Sequence, residues 1–474
     1  MKVRLRRSVS QIPTMSGFDH GSKMAGLLGG DDDTNQPTTK RTKGSNADNS
    51  MRTLSVEDLK DLGGGDHTCT EEIHVNNDCF ELYKEMQKNR RWFHQNPEIA
   101  FEEVETASYI VACLKSIGIE DKDIWTEIGV TGVVAMIYGG KKGESTCIML
   151  RADMDALSIQ ESSSVDYASK NSDRMHACGH DGHMSALLGA AKVCFNNKNK
   201  FHGCIKLCFQ PAEEGRHGAP AMIKDGILEG QAAGLRCGGP RVDACYGIHL
   251  WSFERLGGIQ CSEGPVMAAS DRFTIEVKGK GGHGAVPHQS KDAIVAAASV
   301  VTSLQSIVSR NVDPLEAGVV TCGTINGGFG YNIIADKVTI TGTARAFSKN
   351  TQEIIKSRMG AICCGLQEAY GGSNTLDYEY GYPPTVNAYP DCVKNVQRTG
   401  DKVVGPKRSS LPQKTMGAED FSYFLEERPG CFFFVGAAKR GEILPHHKSV
   451  FDFDERALLI SSSMFVELVY DLLS

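Results

Sequence analysis

Apolar and polar positions follow two periods along most of the chain. "CFELYKEMQKNRRWFHQNPE" (Cys79–Glu98) sets Phe80, Tyr83, Met86 and Trp92 at helical spacing, and Pro97 ends the run. A second helix is expected from about Phe101 to Ser116, stopped by Gly118. Two strands follow, "TGVVAMIYG" and "TCIML", and the second runs straight into "RADMDALSIQE". A helix is expected from Asp181 to Cys194, with Leu187, Leu188 and Ala191 facing inward. The strand "CIKLCF" ends at "QPAEEG", and "ACYGIHLW" follows a Gly-rich loop. Helices alternating with short apolar strands predict an α/β domain. Ligands of open α/β sheets bind beyond the carboxyl ends of the strands, so "RADMD", "QPAEEG" and "GIHL" are expected on one edge.

From about Ser270 the texture changes. "RFTIEVKGK" reads as a strand, "DAIVAAASVVTSLQSIV" as a helix, "GVVTCGTING" and "DKVTITGTARAF" as strands, and "TQEIIKSRMGAICCGLQEAY" as a helix. This βαββα unit has the size of a small domain, roughly 110 residues. After Gly381 the first texture returns, with the strand "CFFFVG" and a last helix, Asp454 to Leu473. The expected architecture is α/β: a catalytic α/β/α domain with a central sheet, residues 76–268 and 381–474, interrupted by an inserted α+β domain, residues 269–380. Residues 1–75 are expected to be a disordered tail. They carry Arg4, Arg6 and Arg7 but no apolar signal core, and a targeting segment is the alternative.

Composition narrows the function class. A chain of 474 residues, 41% hydrophobic and 23% charged, is globular and too long for one core. No run of 18 apolar residues predicts a membrane span. A net charge of −7 argues against a nucleic-acid partner, because neutralising phosphates needs a basic surface. The 16 cysteines come without a signal peptide and read as small buried hydrophobes in a reducing compartment. A cytoplasmic protein is the expectation.

The chemistry-bearing residues are concentrated. Eight of the 14 histidines fall in "MHACGHDGH", "GIHL", "GGHGAVPH" and "PHH". Cys178 and His180 place a thiol and an imidazole at a helix start, which suits a thiolate, a metal site or an ordinary structural cap. Glu213 and Glu214 point in different directions, so one could bind metal while the other moves a proton; two solvated surface glutamates are the plain alternative. His249 ends an apolar strand, where a lone histidine is more often a satisfied core residue than a ligand. A set of N, S and O donors suits Zn or Mn, but spacing alone cannot make these groups converge.

The motifs "LRADMDAL", "MHACGHDGHM", "QPAEEG", "YGIHLW", "GKGGHGAVPH", "MGAEDFSYF" and "FVGAA" stand in one order from Phe80 to Leu473. Together they resemble the amidohydrolase branch of the aminoacylase and carboxypeptidase-G-like dinuclear metallopeptidase family. That branch holds hippurate hydrolases, N-acyl-L-amino-acid amidohydrolases, N-acetyldiaminopimelate deacetylases and auxin-conjugate hydrolases. The resemblance implies two divalent ions per subunit, Mn or Zn, about 3.5 Å apart. It implies Cys178 as a bridging thiolate, with His180, Glu214, His249 and one of the last histidine pair as ligands. His447 fits the family's His-x-x-x-Phe pattern, which makes His446 a neighbour. Asp153 and Asp155 would orient ligands. Glu213 would be the general base acting on water and then the acid for the leaving amine.

The same resemblance makes the inserted domain a lid and dimerisation domain. His283 would reach the partner subunit's site and stabilise the oxyanion, and Asn332 and Arg345 would anchor the substrate carboxylate. "MGAEDFSYF", with Glu419 and Asp420, would shape the site floor. The implied reaction splits an N-acyl amino acid into acyl group and free amino acid. A dipeptidase or carboxypeptidase on the same scaffold, a cysteine hydrolase using Cys178 and His180, and a non-catalytic binding protein are the competing expectations.

Overall fold

The computed structural model describes residues 50–62, 72–411, 414–439 and 443–474. The chain divides into two units, Met1–Ala47 and Asp48–Ser474. The first, with the disordered tail and targeting segment expected there, lies outside the described residues. Part of the segment assigned to the tail is folded. Strands Met51–Leu54 and Ile73–Asn76 pair antiparallel, and helix Val56–Asp61 starts at a Ser55–Asp58 capping box. Leu54, Leu59, Ile73 and Val75 join the main core. With partly buried Met51 and Leu62 they are scattered through a polar segment, and no long periodic run announces them.

The central sheet has seven strands in the order Ile124–Ile128, Gly132–Tyr138, Cys204–Gln210, Cys147–Asp153, Ala244–Arg255, Gly430–Ala438, Ile259–Gln260. The middle four are parallel and the outer pairings antiparallel. The parallel strands are buried on both faces, which explains their unbroken apolar texture. Gly132–Tyr138 shows the layering: Val133, Ala135 and Ile137 enter one core, Val134 and Met136 the other. The first core includes helices Tyr83–Gln95, His180–Asn196 and Ala457–Leu473. The long helix expected over Cys79–Glu98 is two, Asn77–Glu81 and Tyr83–Gln95, broken at Leu82.

Residues 269–382 form a second sheet, all antiparallel, in the order Gly318–Gly327, Lys337–Ala346, Ala269–Lys278, Ser373–Tyr382. Helices Ala293–Arg310 and Lys349–Tyr370 cover one face over a core of Phe273, Ile275, Val277, Val338 and Ile340. Ala293–Arg310 is long and apolar enough to pass for a membrane span by length and composition, yet Ala293, Ala296, Ala297, Val300, Leu304 and Ile307 form a helical stripe packed on this sheet. The final strand, Ser373–Tyr382, extends the expected βαββα unit to βαββαβ. As an edge strand it buries little, so its period-two pattern carries few apolar residues.

Candidate metal centre

The site is built at the carboxyl ends of the parallel strands. Gly179 takes φ +96° ahead of helix His180–Asn196, a left-handed conformation that a side chain would strain. The kink leaves Cys178 outside the helix and makes His180 its first residue. His183, one turn on, is fully used: Nδ1 donates to Asp153 Oδ1 at 2.6 Å and Nε2 accepts from the Leu250 N–H at 2.8 Å. His176 is buried, neither of its ring nitrogens has a hydrogen-bond partner, and burial pushes its pKa down to about 3. Asp181 turns to the other side, accepting from buried Arg90 at 2.9 Å and His94 Nδ1 at 2.7 Å.

The Glu213–Glu214 turn is held by its backbone. Ala212 enters it at φ +55°, and its N–H donates to Glu103 Oε1 at 2.9 Å. The two oxygens of Asp155 accept from the N–H groups of Glu213 and Glu214, at 3.0 and 2.9 Å. The Glu213 carbonyl accepts from the Gly215 N–H and from the hydroxyl of Tyr382, the last residue of the second sheet. Both glutamate side chains are therefore free of backbone duties and border the same cavity.

Five overlapping donor sets lie here among the described residues: Cys178, His249 and His446; Cys178, Glu214 and His447; His180, Glu213 and Glu214; Asp153, His180 and His183; Glu213, Glu419 and Asp420. Cys178, His180, Glu213 and Glu214 each belong to two sets, an overlap that suits neighbouring ions. The imidazoles are oriented as ligands. His180 Nδ1 donates to the Asp155 carbonyl at 2.8 Å, leaving buried Nε2 without a hydrogen bond among the described residues, 3.5 Å from Asp153 Oδ2. His249 Nδ1 donates to the Leu250 carbonyl at 2.7 Å, and its Nε2 faces Cys178 Sγ at 3.4 Å. Such outward hydrogen bonds fix the tautomer that offers a lone pair to a metal. His447 Nε2 lies 3.1 Å from Glu214 Oε1, while His446 stacks on Trp251 and keeps Nδ1 unpartnered.

The electrostatics call for cations. Burial and the carboxylates of Glu214 and Glu213 push the Cys178 thiol far above its ordinary range. Burial and Glu419 hold Glu213 well above a normal carboxylic acid. Burial opposes charge on His180, but Asp153, Asp155 and Glu214 raise it to about 10. Divalent ions would take over the role of these protons, so the residues present fit a metal pair. A cysteine nucleophile fits poorly: burial and the neighbouring carboxylates disfavour the Cys178 thiolate, and His249, the imidazole hydrogen-bonded to Cys178, is driven well below the usual histidine range by burial and by His183.

The cavity, about 1040 Å³, runs from these donors to the uncovered face of the second sheet, where Arg345 lines it and donates to the Met416 carbonyl at 3.3 Å. His283 and Asn332 are elsewhere. They sit exposed on a ribbon of Gly282–His283 and Ile333–Ile334, outside the cavity, with the Gly284 N–H bonded to the Asn332 carbonyl at 2.8 Å. Within one chain the structure does not bring them to the metal donors.

Sequence reasoning passed over two supports. Arg151, fully buried, binds Asp153 at 2.7 Å, Glu419 at 2.9 Å and Asp420 at 3.2 Å. A lone arginine inside the apolar run "CIMLRAD" was the available signal, since a buried cation needs partners. Despite Arg151, burial pushes Glu419 up to about 7 and Asp420 up to about 8. Tyr382 is the second, and nothing in its local sequence marks it.

A model of Peptidase family M20/M25/M40 matches residues 149–471. The N-acetyl-L-cysteine deacetylase of Bacillus subtilis is 39% identical over 81% of this chain and 88% of its own length. The hippurate hydrolase of Campylobacter jejuni is 37% identical over 82% of this chain and 97% of its own. Among solved structures, the Bacillus subtilis YXEP protein, a dinuclear metal-binding peptidase of the M20 family, superposes with a TM-score of 0.70 at 30% identity. It covers 83% of this chain and 99% of that one.

Proposed function

The chain belongs to Peptidase family M20/M25/M40, and on that premise we infer that it is a metal-dependent amidohydrolase that cleaves N-acyl amino acids. The observation that carries the reading is the overlap of the donor sets beside Glu213, a buried carboxylate that accepts no hydrogen bond among the described residues. The proposed ligands are Cys178, His180, Glu214, His249 and His447, oriented by Asp153 and Asp155. Two divalent ions held there, Mn or Zn, would polarise the scissile carbonyl and make water acidic enough to attack it.

This chain's own residues do the rest. Glu213 takes a proton from the attacking water and passes it to the departing amine nitrogen, a task that suits a carboxylate held above its ordinary pKa. Arg345 receives the substrate's α-carboxylate through its planar fork of donors. The experiment offers N-acetyl and N-benzoyl amino acids against free dipeptides to the metal-loaded enzyme. Release of amino acid from the acylated substrates alone is expected; cleavage of dipeptides alone would replace this reading by the dipeptidase one.

The proposed placement of His283 and Asn332 requires a second copy of the chain, with His283 donating to the oxyanion across the dimer. Exposed Phe329, Tyr331 and Ile333 beside this ribbon, and the unpaired outer edge of strand Gly318–Gly327, support an interface there.

Tyr382 ties the second sheet to the base by donating to the Glu213 carbonyl. Losing one such bond costs about 1 kcal/mol. Tyr382→Phe is therefore expected to lower kcat about five- to tenfold, with KM within about twofold; steady-state kinetics on an N-acetyl amino acid check it.

A further inference from the structure

The uncovered face of the second sheet presents two arginines to the cavity, Arg345 and Arg272. In the antiparallel register Arg345 stands opposite Ser270, and Arg272 opposite Thr343. They are thus diagonal neighbours on one face, about 7–8 Å apart at the backbone. Two cations here are more than the single α-carboxylate of an N-acyl amino acid needs.

Arg272 is not committed elsewhere. Glu379 lies directly across from it on the neighbouring strand, where opposite charges ordinarily pair. Yet Arg272 makes no ion pair or hydrogen bond among the described residues. Its guanidinium reaches toward the metal centre instead. Nη2 lies 3.8 Å from the point a Cβ on Gly215 would occupy, and no other atom comes that close. Gly215 directly follows Glu213 and Glu214, and its missing side chain leaves open space beneath the guanidinium. The cation is also felt at His217, whose pKa is lowered by burial and by Arg272. Asp377 and Glu379 line the same cavity, Glu379 directly across from Arg272, so a second anion has its seat on the Gly215 side of the guanidinium, which makes no ion pair with Glu379 among the described residues.

We propose that Arg272 forms a second anion subsite, selecting substrates that carry a carboxylate in addition to the α-carboxylate held by Arg345. The inference rests on the amidohydrolase reading. The extra carboxylate can belong to the amino-acid side chain or to a dicarboxylic acyl group; in both cases the planar fork of Arg272 receives it as a charge-assisted pair.

The test measures kcat/KM for two matched pairs with metal-loaded enzyme: N-acetyl-L-glutamate against N-acetyl-L-glutamine, and N-succinyl-L-alanine against N-butanoyl-L-alanine. At least one acidic member is expected to exceed its neutral partner about tenfold or more, and which pair shows it identifies the carboxylate's source. Arg272→Gln is expected to bring that ratio to about one, and Arg272→Lys to keep part of it. Equal rates within both pairs would overturn the subsite. So would an Arg272→Gln variant that slows every substrate equally, since Arg272 would then serve the α-carboxylate or the fold. Failure of all four substrates would overturn the amidohydrolase reading and the subsite with it.

Discussion

Glu213→Gln is expected to lower kcat by about two to four orders of magnitude, the range a positioned proton carrier supplies. The amide keeps the size of the side chain and leaves the surrounding hydrogen bonds intact, because those run through the Glu213 backbone to Asp155, Gly215 and Tyr382. Metal content and unfolding midpoint are therefore expected to stay near the wild-type values. The decisive measurements are kcat and KM on an N-acetyl amino acid beside elemental analysis of the same sample. Unchanged turnover with full metal content would remove Glu213 from the chemistry.

The second large effect is at Cys178. It belongs to two of the five donor sets, so Cys178→Ala is expected to take the metal content below two ions per chain and to cost well over a hundredfold in activity. The same variant separates two mechanisms. A cysteine nucleophile predicts lost turnover with the metal content untouched. A metal ligand predicts that both fall together, and that chelation of the wild-type protein abolishes activity until divalent metal is returned.

Two of the chemistry-bearing segments were legible in the sequence because each stands at the end of a short apolar strand. "RADMD" and "QPAEEG" do end neighbouring parallel strands of one sheet, whereas "GIHL", expected at a strand end, lies inside the longer strand Ala244–Arg255, where the register sets Gly247 beside Arg151 and so brings His249 level with those ends. Less legible was whatever depends on partners far away in the chain. "MHACGHDGHM" contains three histidines of equal standing in sequence. The structure gives His183 to Asp153 and Leu250, leaves His176 buried without a hydrogen bond among the described residues, and groups His180 with Glu213 and Glu214. The folded strands before Asn76 were missed because a few apolar side chains among polar neighbours make no periodic signal.

By itself the sequence determined the α/β class and the family motifs, because local periodicity and short motifs are written in consecutive positions. Only the tertiary structure decided which polar groups are spent on each other and which remain free. Asp155 is consumed by the turn that presents Glu213, Arg151 by three carboxylates from two segments, and Arg272 by no ion pair or hydrogen bond among the described residues. A buried polar group is satisfied by whatever the fold brings within hydrogen-bonding distance, and that distance is not a property of spacing along the chain.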